Sequence, residues 1–357
     1  MSLSYAMIGG GPGAMIGEVH RLAARASGWK LVAGAFSSDP AKSQAQAVKA
    51  GLDASRGYGD WQSLIANSAK LGLDAVVIVK PNFLHAEQAA AALKAGLHVI
   101  CDKPLCTNGE DARHLAALTG DRVFGLTYAY SGYAALQRAA ALVAGGHLGT
   151  LRLVTGEFTQ DWLALDAEKG ASMAAWRTDP ARSGPSGAVA DIGTHLFHMS
   201  SFVTGGHPEA VSADLTAMVA GRRLEDTALV RMRYANGARG QITISQSVAC
   251  SGGGIRFAAM GDEGGVAWAQ ETPHVLKLMR RGAAAEFLDV PTTGPLPDVP
   301  GAPSGFLNSF AAVYGQFDAA MKGGSGPYPG IADGVRGVAF IEAAVASSRR
   351  DGAWVTL

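Results

Sequence analysis

At 357 residues the chain is too long for one ordinary core and long enough for two, and with 48% apolar and 17% charged residues it is globular rather than disordered. Thirty basic residues balance thirty acidic ones, and no Lys/Arg run supplies an electrostatic footprint for nucleic acid or an anionic membrane. Charges interrupt every apolar stretch before about 18 residues, which excludes a membrane-spanning helix.

Taken in chain order, Leu3–Ile8 reads as a strand that begins almost at once, with no basic region and long apolar stretch before it, so no secretory leader is expected. A glycine turn leads to a helix over Met15–Ala26, a strand over Lys30–Phe36, and helices over Asp39–Ala50 and Trp61–Ala69. Ala75–Val79 is a continuous apolar run, as in a strand buried on both faces. A helix over Leu84–Ala95, a strand over His98–Cys101 and a helix over Gly109–Leu118 complete the alternation. Strands separated by helices of this length predict parallel βαβ units and a doubly wound sheet.

After Val123–Ala129 the pattern changes. Leu151–Phe158, Val211–Val219, Ala228–Tyr234, Ala238–Gln246 and Ile255–Met260 alternate apolar and polar residues, the signature of a half-exposed antiparallel sheet. Asn236-Gly237 marks a hairpin between two of them. Val290–Gly305, rich in Pro and Gly, reads as a loop; helices over Phe306–Met321 and Asp333–Arg349 and a short strand over Ala353–Leu357 follow. The fold class is therefore α/β in two parts, residues 1–126 and 127–357. The three cysteines, Cys101, Cys106 and Cys250, form no disulfide framework, suit a reducing compartment such as the cytoplasm, and have no Cys or His pair beside them to hold zinc.

The turn Gly9-Gly10-Gly11-Pro12-Gly13-Ala14-Met15-Ile16-Gly17 follows a strand and opens a helix, where glycines let a backbone approach a pyrophosphate at the helix N-terminus. It can be read as Gly9-x-Gly11-x-x-Ala14 or as a longer loop closing at Gly17. The second strand ends in Phe36-Ser37-Ser38-Asp39, with Lys42 a turn later. Ser37, Ser38 and Lys42 lean toward the 2′-phosphate of NADP, Asp39 could reach the ribose of NAD, and all three of Ser37, Ser38 and Asp39 can cap the helix that Pro40 opens.

Cys101-Asp102-Lys103-Pro104 follows an apolar strand, and a lysine at that sheet edge can donate a hydrogen bond to a substrate hydroxyl. Farther on, Asp191 and His195 stand four apart, on one face if the segment is helical, with the imidazole as general base and the carboxylate to orient it. The same pattern fits a capping aspartate and a buried histidine, and Asp191, His195 and His198 make a thin set of metal ligands. Trp162, Trp176 and Arg177, with Gln160 and Asp161, offer an aromatic and polar face suited to a sugar ring; Tyr130, His198 and Gln246 could add hydrogen bonds.

With Pro81-Asn82-Phe83-Leu84-His85, these landmarks run the length of the chain, and it resembles the Gfo/Idh/MocA oxidoreductases, the glucose–fructose oxidoreductase and inositol dehydrogenase family. The resemblance implies an N-terminal Rossmann dinucleotide-binding domain and a C-terminal α+β domain with a large, mostly antiparallel open sheet that often forms a subunit interface, hence a homodimer or homotetramer. It implies NAD or NADP as cofactor and hydride exchange with a secondary alcohol or ketone of a sugar, sugar derivative or inositol. Lys103, His195 and Asp191 then resemble the family's catalytic set. Gly9, Gly11, Met15, Ile16, Ser37, Ser38, Lys42, Pro81, Asn82, His85, Asp102 and Lys103 fall at the dinucleotide, and Tyr130, Trp162, Trp176, Arg177 and His198 at the substrate. Asp102 stands where relatives carry Glu, His198 where many have Asp, and Tyr130-Ser131 where Tyr-Arg is usual. Two other activities use this framework: NAD-dependent glycoside cleavage through transient oxidation, and catalytically silent sensing.

Overall fold

The alternation in the first third builds a five-stranded parallel sheet of order β2-β1-β3-β4-β5, from β1 (Ser4–Gly9), β2 (Lys30–Ala35), β3 (Ala75–Val79), β4 (His98–Cys101) and β5 (Phe124–Leu126). The computed structural model describes residues 2–164, 176–249, 254–292 and 294–357. β3 is buried at every position, which accounts for its unbroken apolar sequence. The helices are α1 (Met15–Ala26), α2 (Pro40–Lys49), α3 (Trp61–Ala66), α4 (Ser68–Leu71), α5 (His85–Lys94) and α6 (Gly109–Thr119). One helix was expected over residues 61–69. It breaks at Asn67, whose side-chain amide donates back to the Ser63 carbonyl at 2.8 Å and ends α3.

The second sheet has nine strands: β6 (Leu151–Thr159), β7 (Pro208–Thr216), β8 (Thr227–Tyr234), β9 (Arg239–Ser245), β10 (Gly254–Gly261), β11 (Gly264–Ala269), β12 (Val275–Arg280), β13 (Glu286–Asp289) and β14 (Val355–Thr356). Their order is β13-β12-β11-β10-β6-β9-β8-β7-β14, and only β6 and β9 pair in parallel. β8 alternates buried and exposed residues along most of its length, the mark of a sheet packed on one face. The packed face meets α7 (Ala134–Ala144), α9 (Thr194–Thr204) and α11 (Ile331–Ser348), where Phe197 stacks on Phe340 at 4.4 Å between ring centroids. A short α8 (Pro180–Ser183) precedes α9, and α10 (Phe306–Met321) has the bounds the sequence indicates. The other face keeps Leu153, Leu229 and Phe287 exposed. Strands β11 to β13 escape sequence reading because all are short and β11 is built largely of Gly and Ala.

The chain divides into two compact units: Met1–Ala129 with Val299–Gly301 and Phe310–Val335, and Tyr130–Asp298 with Ala302–Ser309 and Arg336–Leu357. A single cut after residue 126 does not describe this division. The first unit takes up Phe310–Val335 because that segment supplies it with large aromatic side chains: Tyr314 meets Trp29 edge-on at 5.2 Å, and Trp29 Nε1 donates to Asp318 at 2.9 Å. Among the described residues no helix is long and apolar enough to cross a membrane.

Candidate active site

In the first unit, β1 ends at Gly9 with φ +95°, and a Cβ there would run into the Val79 carbonyl of the neighbouring strand. Gly17, inside α1, has its Cα hydrogens against Gly10; a side chain there would push helix and turn apart, so helix and turn approach closely at Gly17. Ala14, the residue before α1, has no side-chain acceptor and so provides no side-chain cap for the first N–H groups of the helix. A glycine-lined turn opening onto an uncapped helix start suits a pyrophosphate.

At the end of β2, Ser37 Oγ accepts from the Asp39 N–H at 3.1 Å and Asp39 accepts from the Lys42 N–H at 3.2 Å, capping α2. The Lys42 ammonium stands 3.9 Å from the same carboxylate, both side chains largely in solvent, and Ser38 is exposed. Lys42 is thus already compensated by Asp39.

β3 leads through Lys80 and Pro81 into a tight turn at Asn82–Leu84, and Asn82 is buried. His85 was expected beside the dinucleotide; instead its ring is fully enclosed, with Nδ1 2.9 Å from the Pro104 carbonyl and Nε2 2.7 Å from the Lys80 carbonyl. Burial pushes its pKa down, against those two contacts. Its part is to tie the loop after β3 to the loop after β4.

β4 delivers Asp102 and Lys103, and the Lys103–Pro104 peptide bond is cis. Asp102, also expected at the dinucleotide, is engaged inside the unit. It accepts from Thr127 Oγ1 at 2.6 Å and stands 3.5 Å from Nε2 of the buried His20, whose Nδ1 lies 2.7 Å from the Tyr314 hydroxyl. Burial raises the Asp102 carboxyl, but the His20 and Thr127 contacts outweigh it and hold the group well below the usual carboxylate range.

In the second unit, Asp191 lies in a π-helical turn, Val189–Gly193, and His195 is the second residue of α9. The spacing of four does not carry the meaning it has on a continuous α-helix, because the π-turn widens the winding between them. Glu225 fixes the start of this turn: one carboxylate oxygen accepts from Ser186 Oγ at 2.5 Å and from the N–H groups of Gly187 and Val189 at 2.9 and 3.1 Å. Burial raises the Glu225 pKa despite these donors.

Asp191 Oδ2 accepts from the Gln246 side-chain amide at 2.8 Å and stands 3.6 Å from Arg177 Nε. Gln246 also donates to Gln160 Oε1 at 3.1 Å, which accepts in turn from Trp162 Nε1 at 2.8 Å. The Arg177 guanidinium lies 4.4 Å over the Trp176 ring and 5.8 Å from that of Trp162. Asp191, Arg177, Trp162 and Trp176 thus share one patch, with Gln160 and Gln246 as the link between its ends. Tyr130 is only 4% exposed, its ring edge-on to His195 at 5.0 Å and packed against Tyr133, Phe158, Trp268 and Phe306. His198 is buried and stacks parallel to Phe202 at 6.2 Å. Tyr130 and His198 both lie buried against aromatic rings. Glu225, His20, Tyr314 and Lys80 were not singled out from sequence; of these only Lys80, directly before Pro81-Asn82 at a strand end, carried a local signal.

Residues 3–123 match the model of an oxidoreductase family with an NAD-binding Rossmann fold, and residues 136–267 match the GFO/IDH/MocA C-terminal domain. The chain belongs to the Gfo/Idh/MocA family. It is 32% identical to the uncharacterized oxidoreductase YfiI of Bacillus subtilis, over 99% of this chain and 96% of that one. Levoglucosan dehydrogenase of Pseudarthrobacter phenanthrenivorans is 28% identical over 83% and 82% of the two chains. Among solved structures, an inositol dehydrogenase homologue of Azotobacter vinelandii in complex with NAD+ superposes with a TM-score of 0.93 at 33% identity, covering 100% of this chain and 98% of that one. The same homologue with NADH and myo-inositol gives 0.90 at 32%, with the same coverage. The protein is an NAD-binding oxidoreductase of the sugar and inositol dehydrogenase family, and its Rossmann and antiparallel sheets are the family's architecture.

Proposed function

We propose that this enzyme moves a hydride between NAD and a secondary alcohol or ketone of an uncharged sugar, sugar derivative or inositol. The observation that carries the reading is the Asp191 patch: a carboxylate with a histidine on the next helix, beside two indoles and a compensated arginine, in a chain of dinucleotide-binding family. Two indoles flanking a guanidinium, with hydrogen-bonding groups whose charges are paired, suit a polyol ring. The relatives named for levoglucosan and inositol support the same substrate class.

In this reading the first unit holds the dinucleotide at Gly9, Gly11, Met15, Ile16, Pro81 and Asn82, with its adenosine end toward Ser37 and Ser38. The second unit holds the substrate, with Trp162, Trp176 and Arg177 against the ring. A bound nicotinamide supplies the hydride acceptor or donor. His195 takes the hydroxyl proton on oxidation and returns it on reduction, Lys103 donates a hydrogen bond to the same oxygen, and Asp191 orients the substrate and the imidazole. Of the three groups that lean toward NADP, Ser37, Ser38 and Lys42, the cation is paired with Asp39, and the negative charge at that edge favours NAD. Leu153, Leu229 and Phe287 on the open sheet face support a homodimer or homotetramer, which light scattering checks.

The test is a panel of inositols and neutral sugars, screened separately with NAD+ and NADP+ for net change in nicotinamide absorbance. Lys103→Ala and His195→Ala should each lower turnover by about 10²- to 10⁴-fold while leaving NADH binding intact. Full activity of both variants on the substrate so found would refute the assignment.

A further inference from the structure

We propose that Lys80 is a cofactor-binding residue whose ammonium group pairs with the pyrophosphate of the dinucleotide. The proposal rests on the reading of the glycine turn as the dinucleotide site. It goes beyond that reading by adding a positive charge beside a turn where the Arg21 guanidinium is already engaged, donating to the Gly10 carbonyl at 2.9 Å and pairing with Glu18 at 2.6 Å.

Lys80 follows the last residue of β3, and β3 pairs directly with β1, Val79 opposite Gly9. The carboxyl end of β3 is therefore adjacent to the glycine turn, at the edge of a parallel sheet where ligands of this architecture bind. The side chain starts beside the turn: Cγ of Lys80 lies 3.2 Å from where a Cβ on Gly9 would stand. The backbone is fixed on both sides, by the His85 ring at the Lys80 carbonyl and by the restricted φ of Pro81.

The charge itself has nothing to answer it. Lys80 is half-buried and forms no ion pair or side-chain hydrogen bond among the described residues, and its ammonium is pushed below the ordinary lysine range by burial alone, with no carboxylate acting against it. Folded proteins seldom leave a partly desolvated ammonium uncompensated, because its lost hydration must be replaced by a counter-charge or hydrogen bonds. A perturbed, unpartnered lysine at a ligand-binding sheet edge marks a functional position. The dianionic pyrophosphate expected at the start of α1 is the counter-charge the geometry provides for. Backbone N–H groups orient the phosphates, and Lys80 adds strength that varies with salt.

The experiment measures binding of ADP-ribose, which keeps the pyrophosphate and lacks nicotinamide, and of NADH, by calorimetry at low and high ionic strength. Wild type, Lys80→Met and Lys80→Arg are compared. Lys80→Met should weaken both ligands by about tenfold at low salt, the gap should narrow at high salt, and Lys80→Arg should keep most of the affinity. Equal affinity of wild type and Lys80→Met for ADP-ribose overturns the proposal and leaves the dinucleotide reading standing. A loss confined to NADH overturns it too, since the charge would then act at the nicotinamide. If wild type binds neither ligand, the dinucleotide reading itself has failed. Should the Met variant not fold, reductive methylation of wild-type protein read by mass spectrometry decides: ADP-ribose must protect Lys80, and undiminished labelling overturns the assignment.

Discussion

The Gln246 side-chain amide donates to Asp191 Oδ2 at 2.8 Å from a position that is itself buried. Gln246 stands just past β9, Asp191 in a π-turn, and the bond joins the sheet to the turn that leads into the helix bearing His195. A donor to a carboxylate is worth about 1.5–3 kcal/mol when buried, and here it sets which way the carboxylate faces. Gln246→Leu keeps the volume and removes the donor. It should lower kcat on the polyol by about ten- to hundredfold while NADH affinity stays within about twofold, a split that steady-state kinetics and NADH fluorescence resolve. Parallel losses in kcat and NADH binding would make Gln246 a general structural residue.

How far sequence reaches is visible in the same elements. Local patterns were legible: the unbroken apolar run of β3, the alternation of β8 and the bounds of α10 each follow from periodicity within one segment. Lys103, Asp191 and His195 stand out in the sequence because each sits in a short motif. What was not legible is set by long-range packing. His20 meets Tyr314 across 294 positions, and no local spacing announces that pair. The π-turn depends on Glu225, more than thirty positions away in sequence, satisfying Ser186, Gly187 and Val189; read locally, the segment is an ordinary helix. His85 looked like a ligand residue because its motif lies at a sheet edge, whereas its ring turns inward to two carbonyls.

Glu225 gives a prediction in which two variants move in opposite directions. Glu225→Ala strands a hydroxyl and two N–H groups and should cost about 2–4 kcal/mol of stability, seen as a lower denaturant midpoint. Glu225→Gln keeps an accepting oxygen without the charge. Because burial raises the folded pKa above the ordinary 4.5, the contribution from this group is fully present below 4.5 and is lost as pH rises through the folded value. The Gln variant should therefore match wild type in acid and be equal or more stable above that window. A Gln variant as unstable as the Ala variant at neutral pH would show that the ionised carboxylate is needed.

The Asp102 cluster has the reverse sign. His20 and Thr127 depress the Asp102 pKa against burial, so its contribution is present above the ordinary 3.8 and is lost as pH falls below it. Asp102→Asn should remove that part of the acid sensitivity and flatten the stability profile below about pH 4. Tyr314→Phe leaves the buried His20 Nδ1 without its hydroxyl partner and should cost about 1–2 kcal/mol at neutral pH, measured by urea unfolding. An Asn variant with an unchanged acid profile would place the acid-sensitive groups elsewhere.

The edge of β2 tests cofactor choice without disturbing the fold. Asp39 does two things there: its carboxylate caps α2 at the Lys42 N–H, and it places negative charge 3.9 Å from the Lys42 ammonium, which a 2′-phosphate would otherwise meet. Asparagine caps as well as aspartate, so Asp39→Asn separates the two roles: stability should change by no more than a few tenths of a kcal/mol. With the charge gone, Lys42 and the hydroxyls of Ser37 and Ser38 are left to a phosphate, and the ratio of kcat/KM for NADP+ to that for NAD+ should rise about tenfold. Adding Lys42→Ala to Asp39→Asn should take most of that gain away, because the new preference depends on the ammonium. A ratio indifferent to both changes would mean that the adenosine end of the dinucleotide does not reach this edge.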